Sequence, residues 1–142
     1  MAESGPRSFI GSKLALLCDG SILVYRRDDR ADIPFPDCWD LPGGGREGDE
    51  TPEACVLRET FEEFGLVYAA KRLIWSRPYP SWRDDGSISW FFGGRLTHED
   101  IAAIRFGDEG QHWTMMPVAD YLASPDAVPH HRDHVRDLLA YA

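Results

Sequence analysis

The stretch Leu41-Pro-Gly-Gly-Gly-Arg-Glu-Gly-Asp-Glu-Thr-Pro-Glu-Ala-Cys-Val-Leu-Arg-Glu-Thr-Phe-Glu-Glu-Phe-Gly-Leu66 joins a glycine-rich turn to a helix of about four turns that carries clustered carboxylates. Thr51 suits the N-cap, Pro52 the first helical position, and Glu53 complements the positive end of the helix dipole. Gly65 is placed to end the helix in a left-handed conformation. Between these signals Ala54, Leu57, Phe61 and Phe64 recur at helical spacing, which predicts the stripe that meets the core. At roughly 100° per residue, Glu59, Glu62 and Glu63 gather about 190° from the centre of that stripe.

Such a carboxylate face is locally unfavourable. Glu59 and Glu63 are like charges at i,i+4, costing about 0.2–0.5 kcal/mol. Glu62 and Glu63 also lie in the last turn, where the dipole prefers cations. A divalent cation would relieve both penalties, and clustered oxygen ligands suit Mg²⁺ or Mn²⁺. Taken alone, the helix also fits a solvated acidic face with Arg58 as its counter-ion.

The wider spacing decides between these. Gly44, Glu50, Arg58, Glu59, Glu62, Glu63, Gly65 and Leu66 fill the pattern G-x5-E-x7-R-E-U-x-E-E-x-G-U, with U a bulky aliphatic residue. The stretch resembles the Nudix box, the signature of hydrolases acting on nucleoside diphosphates linked to another group. Thr60 is the one departure, where the family usually has Leu, Ile or Val; its methyl can still pack, so a local packing change is expected rather than lost chemistry. The resemblance implies an α/β/α sandwich with a mixed β-sheet between helices, and a reaction that uses one to three Mg²⁺ or Mn²⁺ ions. It implies Glu59 and Glu63 as metal ligands, Glu62 as a ligand directly or through water, and a backbone carbonyl at Gly44 or its neighbours. Arg58 would orient the carboxylates, and Glu50 would brace the loop on the helix. A glutamate from a late loop often takes the water's proton in this family. Glu109, flanked by Gly107 and Gly110, is placed for that role, a glutamate of the box being the alternative; Glu99 is explained by the first turn of a helix.

At 142 residues, with 43% hydrophobic and 27% charged residues, the chain fits one domain with a single core. No apolar run approaches a membrane span, and the N-terminus lacks the apolar region of a signal peptide, so a cytoplasmic location is expected. A net charge of −9 argues against long nucleic acid, and an acidic protein handling a small polyphosphate needs cations to bring the two together. Cys18, Cys38 and Cys55 form no C-x-x-C pair and read as reduced thiols. The expected partner is a small nucleoside diphosphate derivative, with no membrane partner; a homodimer is compatible with the resemblance.

Elsewhere, Lys13–Cys18 and Ser21–Tyr25 read as strands joined at Asp19-Gly20. Residues 28–40 read as a loop containing Phe35 and Trp39, two candidates for stacking on a base. A strand over 66–77 pairs with one over 87–96, and Tyr79 and Trp82 between them are weaker candidates for substrate contact. Further expectations are a helix over 97–106, a strand over 113–116, a short helix over 117–122 and a closing helix over 130–141 with Val135, Leu138 and Leu139 inward. His130, His131 and His134 share helical spacing but read as a solvated face. Substrate identity stays open between a nucleoside triphosphate and a nucleotide sugar. Pro80 misses the offset of the ADP-ribose branch, and Asp84 stands near where diadenosine-polyphosphate hydrolases carry tyrosine. Two rivals are a nucleotide sensor, which would usually have lost box glutamates, and an isoprenoid diphosphate isomerase, for which the surroundings of Cys38 are unsuited.

Overall fold

The computed structural model describes residues 9–141. Strands β1 (Phe9–Cys18) and β2 (Ser21–Arg26) form a hairpin. Its turn residues Asp19 and Gly20 both have positive φ, 50° and 79°, the conformation whose twist matches the flanking strands. Two short strands follow, β3 (Trp39–Asp40) and β4 (Gly43–Gly45), then helix α1 (Pro52–Phe64). After one 3₁₀ turn (Ala70–Arg72) come β5 (Leu73–Pro80), β6 (Ile88–Arg95), α2 (His98–Ala102), β7 (Trp113–Pro117), α3 (Val118–Ala123) and α4 (Pro129–Tyr141).

The sheet runs β3-β2-β1-β6-β5, with β4 also on β1 and β7 also on β2. β1 pairs parallel with β6, whereas its pairings with β2 and β4 are antiparallel, so the sheet is mixed. β3 pairs with β2 and β4 with β1, so the Leu41–Pro42 link steps from one strand to the other beside the centre of the sheet.

Both faces are covered. Leu14, Leu16, Leu23 and Tyr25 pack with Val56 and Phe64 of α1 on one side. Ala15, Leu17, Ile22 and Val24 pack with Tyr121, Val135 and Leu138 of α3 and α4 on the other. That double burial explains the near-continuous apolar runs of β1 and β2, and gives the expected α/β/α sandwich.

Several boundaries differ from the sequence reading. The second hairpin starts at Leu73 instead of residue 66 and runs on to Pro80, so Tyr79 belongs to a strand. Helix α2 ends at Ala102, held at its start by a capping box between Thr97 and Asp100. The three cysteines are free thiols. No helix among the described residues is long and apolar enough to cross a membrane.

Candidate active site

Helix α1 is built by its own ends. Thr51 Oγ1 accepts the amide hydrogen of Ala54, Pro52 stands at the first turn, and Gly65 (φ 68°) closes the helix. The buried side, however, is Cys55, Val56, Thr60 and Phe64. Ala54 and Phe61 are exposed, the latter by 54%, and Leu57 is half-buried. This corrects the predicted stripe. Counting about 100° per residue from Cys55, Glu59 and Glu63 fall within the buried arc instead of opposite it. They point under the glycine loop, which is why both lose water. Thr60, fully buried, donates its hydroxyl to Val56 O at 2.7 Å, a bond made within the helix.

Arg58 is the hub of the carboxylates. Its Nε donates to Glu50 Oε2 at 2.6 Å and its Nη2 to Glu50 Oε1 at 3.1 Å. Nη1 reaches Glu59 Oε2 at 2.9 Å and both Glu62 oxygens at 3.2 Å, and Nη2 also reaches Gly45 O at 2.9 Å. Glu50 in turn accepts the amide of Glu47 at 2.8 Å, which ties the loop to the helix. Hydrogen bonding to Arg58 lowers the Glu50 pKa, and burial raises that of Glu59 against the pull of the same arginine. Glu63 is pushed up to about 8, chiefly by burial, with Lys13 and the Gly43 amide opposing.

The glycine loop fits closely over these acids. A Cβ on Gly44 would lie 2.5 Å from Glu59 Oε1, and one on Gly43, whose φ is +133°, would lie 2.1 Å from Ser12 O. Gly43 N donates to Glu63 Oε1 at 2.9 Å. Gly44 pairs with Ser12 in the β1–β4 ladder, and its carbonyl also accepts a weak bond from Cys55 Sγ at 3.5 Å. The donor set around Gly44 is therefore hard oxygen, the chemistry Mg²⁺ and Mn²⁺ select. With Arg58 between Glu59 and Glu62, the three acids are held as a set without converging on one point. Among the described residues, the group whose ligand atoms do converge, within 4.8 Å, is Cys18, Asp19 and His98, at the β1–β2 turn and the start of α2.

On its other side Gly44 lines a cavity of about 220 Å³ with Gly45, Phe35, Trp82 and three histidines. The Phe35 ring meets Trp82 edge-on at 5.6 Å and His130 at 5.4 Å. Trp39 and Tyr79 are placed elsewhere. Trp39 packs on His112 under Arg26, and Tyr79 stacks on His134 at 3.6 Å while its hydroxyl donates to Asp137 at 2.7 Å. Glu109 is exposed, and its loop is fastened to the end of α1 by the Gly107 amide on Glu63 O at 2.8 Å.

The histidines are not a solvated face. His131 is buried, with Nδ1 3.1 Å from Asp40 Oδ1, close but poorly aligned for a regular hydrogen bond. Burial lowers the pKa of His130 and His134 to about 4, helped by their mutual repulsion with His131. Asp40 is the residue that the sequence reading missed. Although burial opposes it, Lys13, His131 and Arg27 hold this carboxyl well below the usual range. It accepts Lys13 Nζ at 3.0 Å and Arg27 Nη1 at 2.9 Å. No local signal marked it, because its partners come from β1, from the residue after β2 and from α4.

A family model described as the NUDIX domain matches residues 12–138. An RNA pyrophosphohydrolase of Blochmanniella pennsylvanica is 48% identical over 79 residues, covering 56% of this chain and 45% of that protein. The chain spans less than half the length of curated relatives such as this one. A MutT protein of Methanosarcina mazei Go1 superposes with a TM-score of 0.72 at 20% identity, covering 96% of this chain and 95% of the other. A bifunctional NMN adenylyltransferase/ADP ribose pyrophosphatase of Francisella tularensis, complexed with AMP and a Mn ion, superposes with a TM-score of 0.70 at 21% identity, over 99% of this chain and 43% of the other. With the fold, the box residues and a match over most of its length in agreement, the chain belongs to the NUDIX domain family.

Proposed function

We propose that this protein is a metal-dependent pyrophosphohydrolase that cleaves the diphosphate linkage of a nucleoside diphosphate joined to another group: a nucleoside triphosphate, a nucleotide sugar or an ADP-ribose-like compound. The observation that carries the reading is the set Glu50, Glu59 and Glu62 gathered around Arg58, with Glu59 under Gly44 and Glu63 held by the Gly43 amide, next to a cavity walled by aromatic rings. A structural acidic face has no need of two half-buried carboxylates at a loop whose Gly43 and Gly44 leave no room for a Cβ.

Glu59 and Glu63, with Glu62 directly or through water and the Gly44 carbonyl, would hold Mg²⁺ or Mn²⁺. The bound ion supplies Lewis acidity towards the phosphoryl oxygens and lowers the pKa of water. Arg58 holds Glu59 and Glu62 in register by charge-assisted bonds, and Glu50 anchors Arg58. Glu109, on the loop fixed to the end of α1, takes the proton of the attacking water. Phe35 and Trp82 hold the planar base across the cavity from Gly44 and Gly45. Tyr79 supports the cavity from behind through its stack on His134, and Trp39, packed on His112, takes no part in holding the base. The Francisella relative's Mn ion and AMP support the metal and nucleotide parts of this reading. The Blochmanniella relative's name adds an RNA-linked diphosphate to the compounds worth testing, although a net charge of −9 disfavours long polynucleotides.

A panel of nucleotides assayed with and without Mg²⁺, with product analysis, tests the proposal. Turnover that needs the metal and is lost in Glu63→Gln supports it. Nucleotide binding without turnover in the parent protein would replace it with a sensor.

A further inference from the structure

Lys13 lines the cavity and its ammonium reaches the glycine loop at Gly43 O, so it invites assignment as a phosphate ligand. Its bonds say otherwise. Nζ donates to Asp40 Oδ2 at 3.0 Å, to Leu41 O at 3.1 Å and to Gly43 O at 3.2 Å. An ammonium has three protons, and here all three are committed. Leu41 O and Gly43 O belong to the peptide planes on either side of the one carrying the Gly43 amide. That middle plane is itself held by the Leu14 amide on Pro42 O at 2.9 Å. Its N–H is the group that meets Glu63 Oε1 at 2.9 Å. Asp40, fully buried and gripped by Arg27 and Lys13, fixes where the ammonium sits. Salt bridge, loop and carboxylate thus form one continuous line from β3 through β1 to α1.

We propose that Lys13, steered by Asp40, is a positioning residue: it aims the Gly43 amide at Glu63 and so sets that carboxylate for its metal, and it does not bind the substrate's phosphates. This rests on the hydrolase reading above only in its kinetic consequence. The link itself can be read without substrate, from Mn²⁺ affinity of the full chain (free Mn²⁺ followed by electron paramagnetic resonance) and from hydrogen exchange at the Gly43 amide.

In Lys13→Met, Mn²⁺ affinity and kcat should each fall about tenfold, the lower end for groups that orient metal ligands. KM should stay within about twofold, and exchange at Gly43 should quicken. Lys13→Gln, which keeps two donors, should fall between parent and Lys13→Met, and covers the case in which the methionine variant does not fold. Asp40→Asn should move the same readouts the same way, and the double variant should be no worse than the poorer single one, because both act through one link. A raised KM with unchanged Mn²⁺ affinity and unchanged exchange would overturn the proposal and make Lys13 a substrate contact. No change in any readout would overturn it as well. If the parent binds Mn²⁺ but cleaves no diphosphate, the hydrolase reading fails while affinity and exchange still decide the role of Lys13. If it binds no Mn²⁺, the metal half of the proposal is overturned, and exchange at Gly43 decides whether Lys13 aims that amide.

Discussion

Arg58 Nε lies 2.6 Å from Glu50 Oε2, and Arg58 Nη2 lies 3.1 Å from Glu50 Oε1, a two-pronged pairing across eight residues that fastens the glycine loop to the carboxylate-bearing side of α1. A lysine carries the charge but cannot reproduce the fork. Arg58→Lys should therefore lower kcat by about tenfold with little change in KM. Loss of a charge-assisted bond is worth about 1.5–3 kcal/mol at most, and partial exposure of Arg58 puts the expected stability loss at the low end. Urea denaturation and steady-state kinetics read the two effects separately; an unchanged kcat would show that the fork is only a brace.

Glu63 ties stability to pH. Its folded pKa, about 8, lies above its unfolded value, so the folded chain binds more protons between the two. With EDTA present, Tm should drop as pH rises from about 7 to 8, above the range in which the depressed pKa values of His130 and His134 make stability rise with pH. Excess Mg²⁺ should flatten that slope, since the ion takes over the work of neutralising the carboxylate, and Glu63→Gln should flatten it in EDTA. In the activity assay the same variant should lose about a hundredfold or more. A pH-independent Tm in the stripped parent would contradict the assigned burial of this group.

Asp40 works in the opposite sense. Its pKa is depressed on folding, so its contribution is present above the unfolded value near 4 and is lost as pH falls through the lower folded value. Asp40→Ala leaves Lys13 and Arg27 without their shared counter-ion and should cost about 3–5 kcal/mol in chemical denaturation. A loss under about 1 kcal/mol would show that the pairing does no more than a surface ion pair.

The aromatic wall predicts a split between two neighbours. Trp82 is 48% exposed over the cavity, so Trp82→Ala should leave Tm unchanged and raise KM about two- to tenfold through lost ring contact. Tyr79→Ala breaks the His134 stack and the Asp137 bond behind the wall, and should lower Tm more than it raises KM. Reversal of this order would relocate the base.

Thr60 is the residue at which the box departs from its pattern. Its hydroxyl bonds a carbonyl inside the helix, so Thr60→Val loses one hydrogen bond, should change stability by less than about 1.5 kcal/mol and should leave kcat alone. A tenfold activity loss would mean that the Val56 bond shapes the carboxylate face.

The sequence alone determined helix α1, its caps at Thr51 and Gly65, the Asp19-Gly20 hairpin and the grouping of Glu50, Arg58, Glu59, Glu62 and Glu63. These depend on interactions between residues a few positions apart, which spacing records. Tertiary structure alone decided which side of α1 is buried, leaving Phe61 in water and drawing Glu59 and Glu63 inward, because the side that faces the sheet depends on where β1 and β4 lie. It also turned the histidines of α4 into a cavity wall and made Asp40 the counter-ion of Lys13 and Arg27. Those residues are far apart along the chain, and a buried charge takes its meaning from the partners that the fold brings within about 3 Å of it.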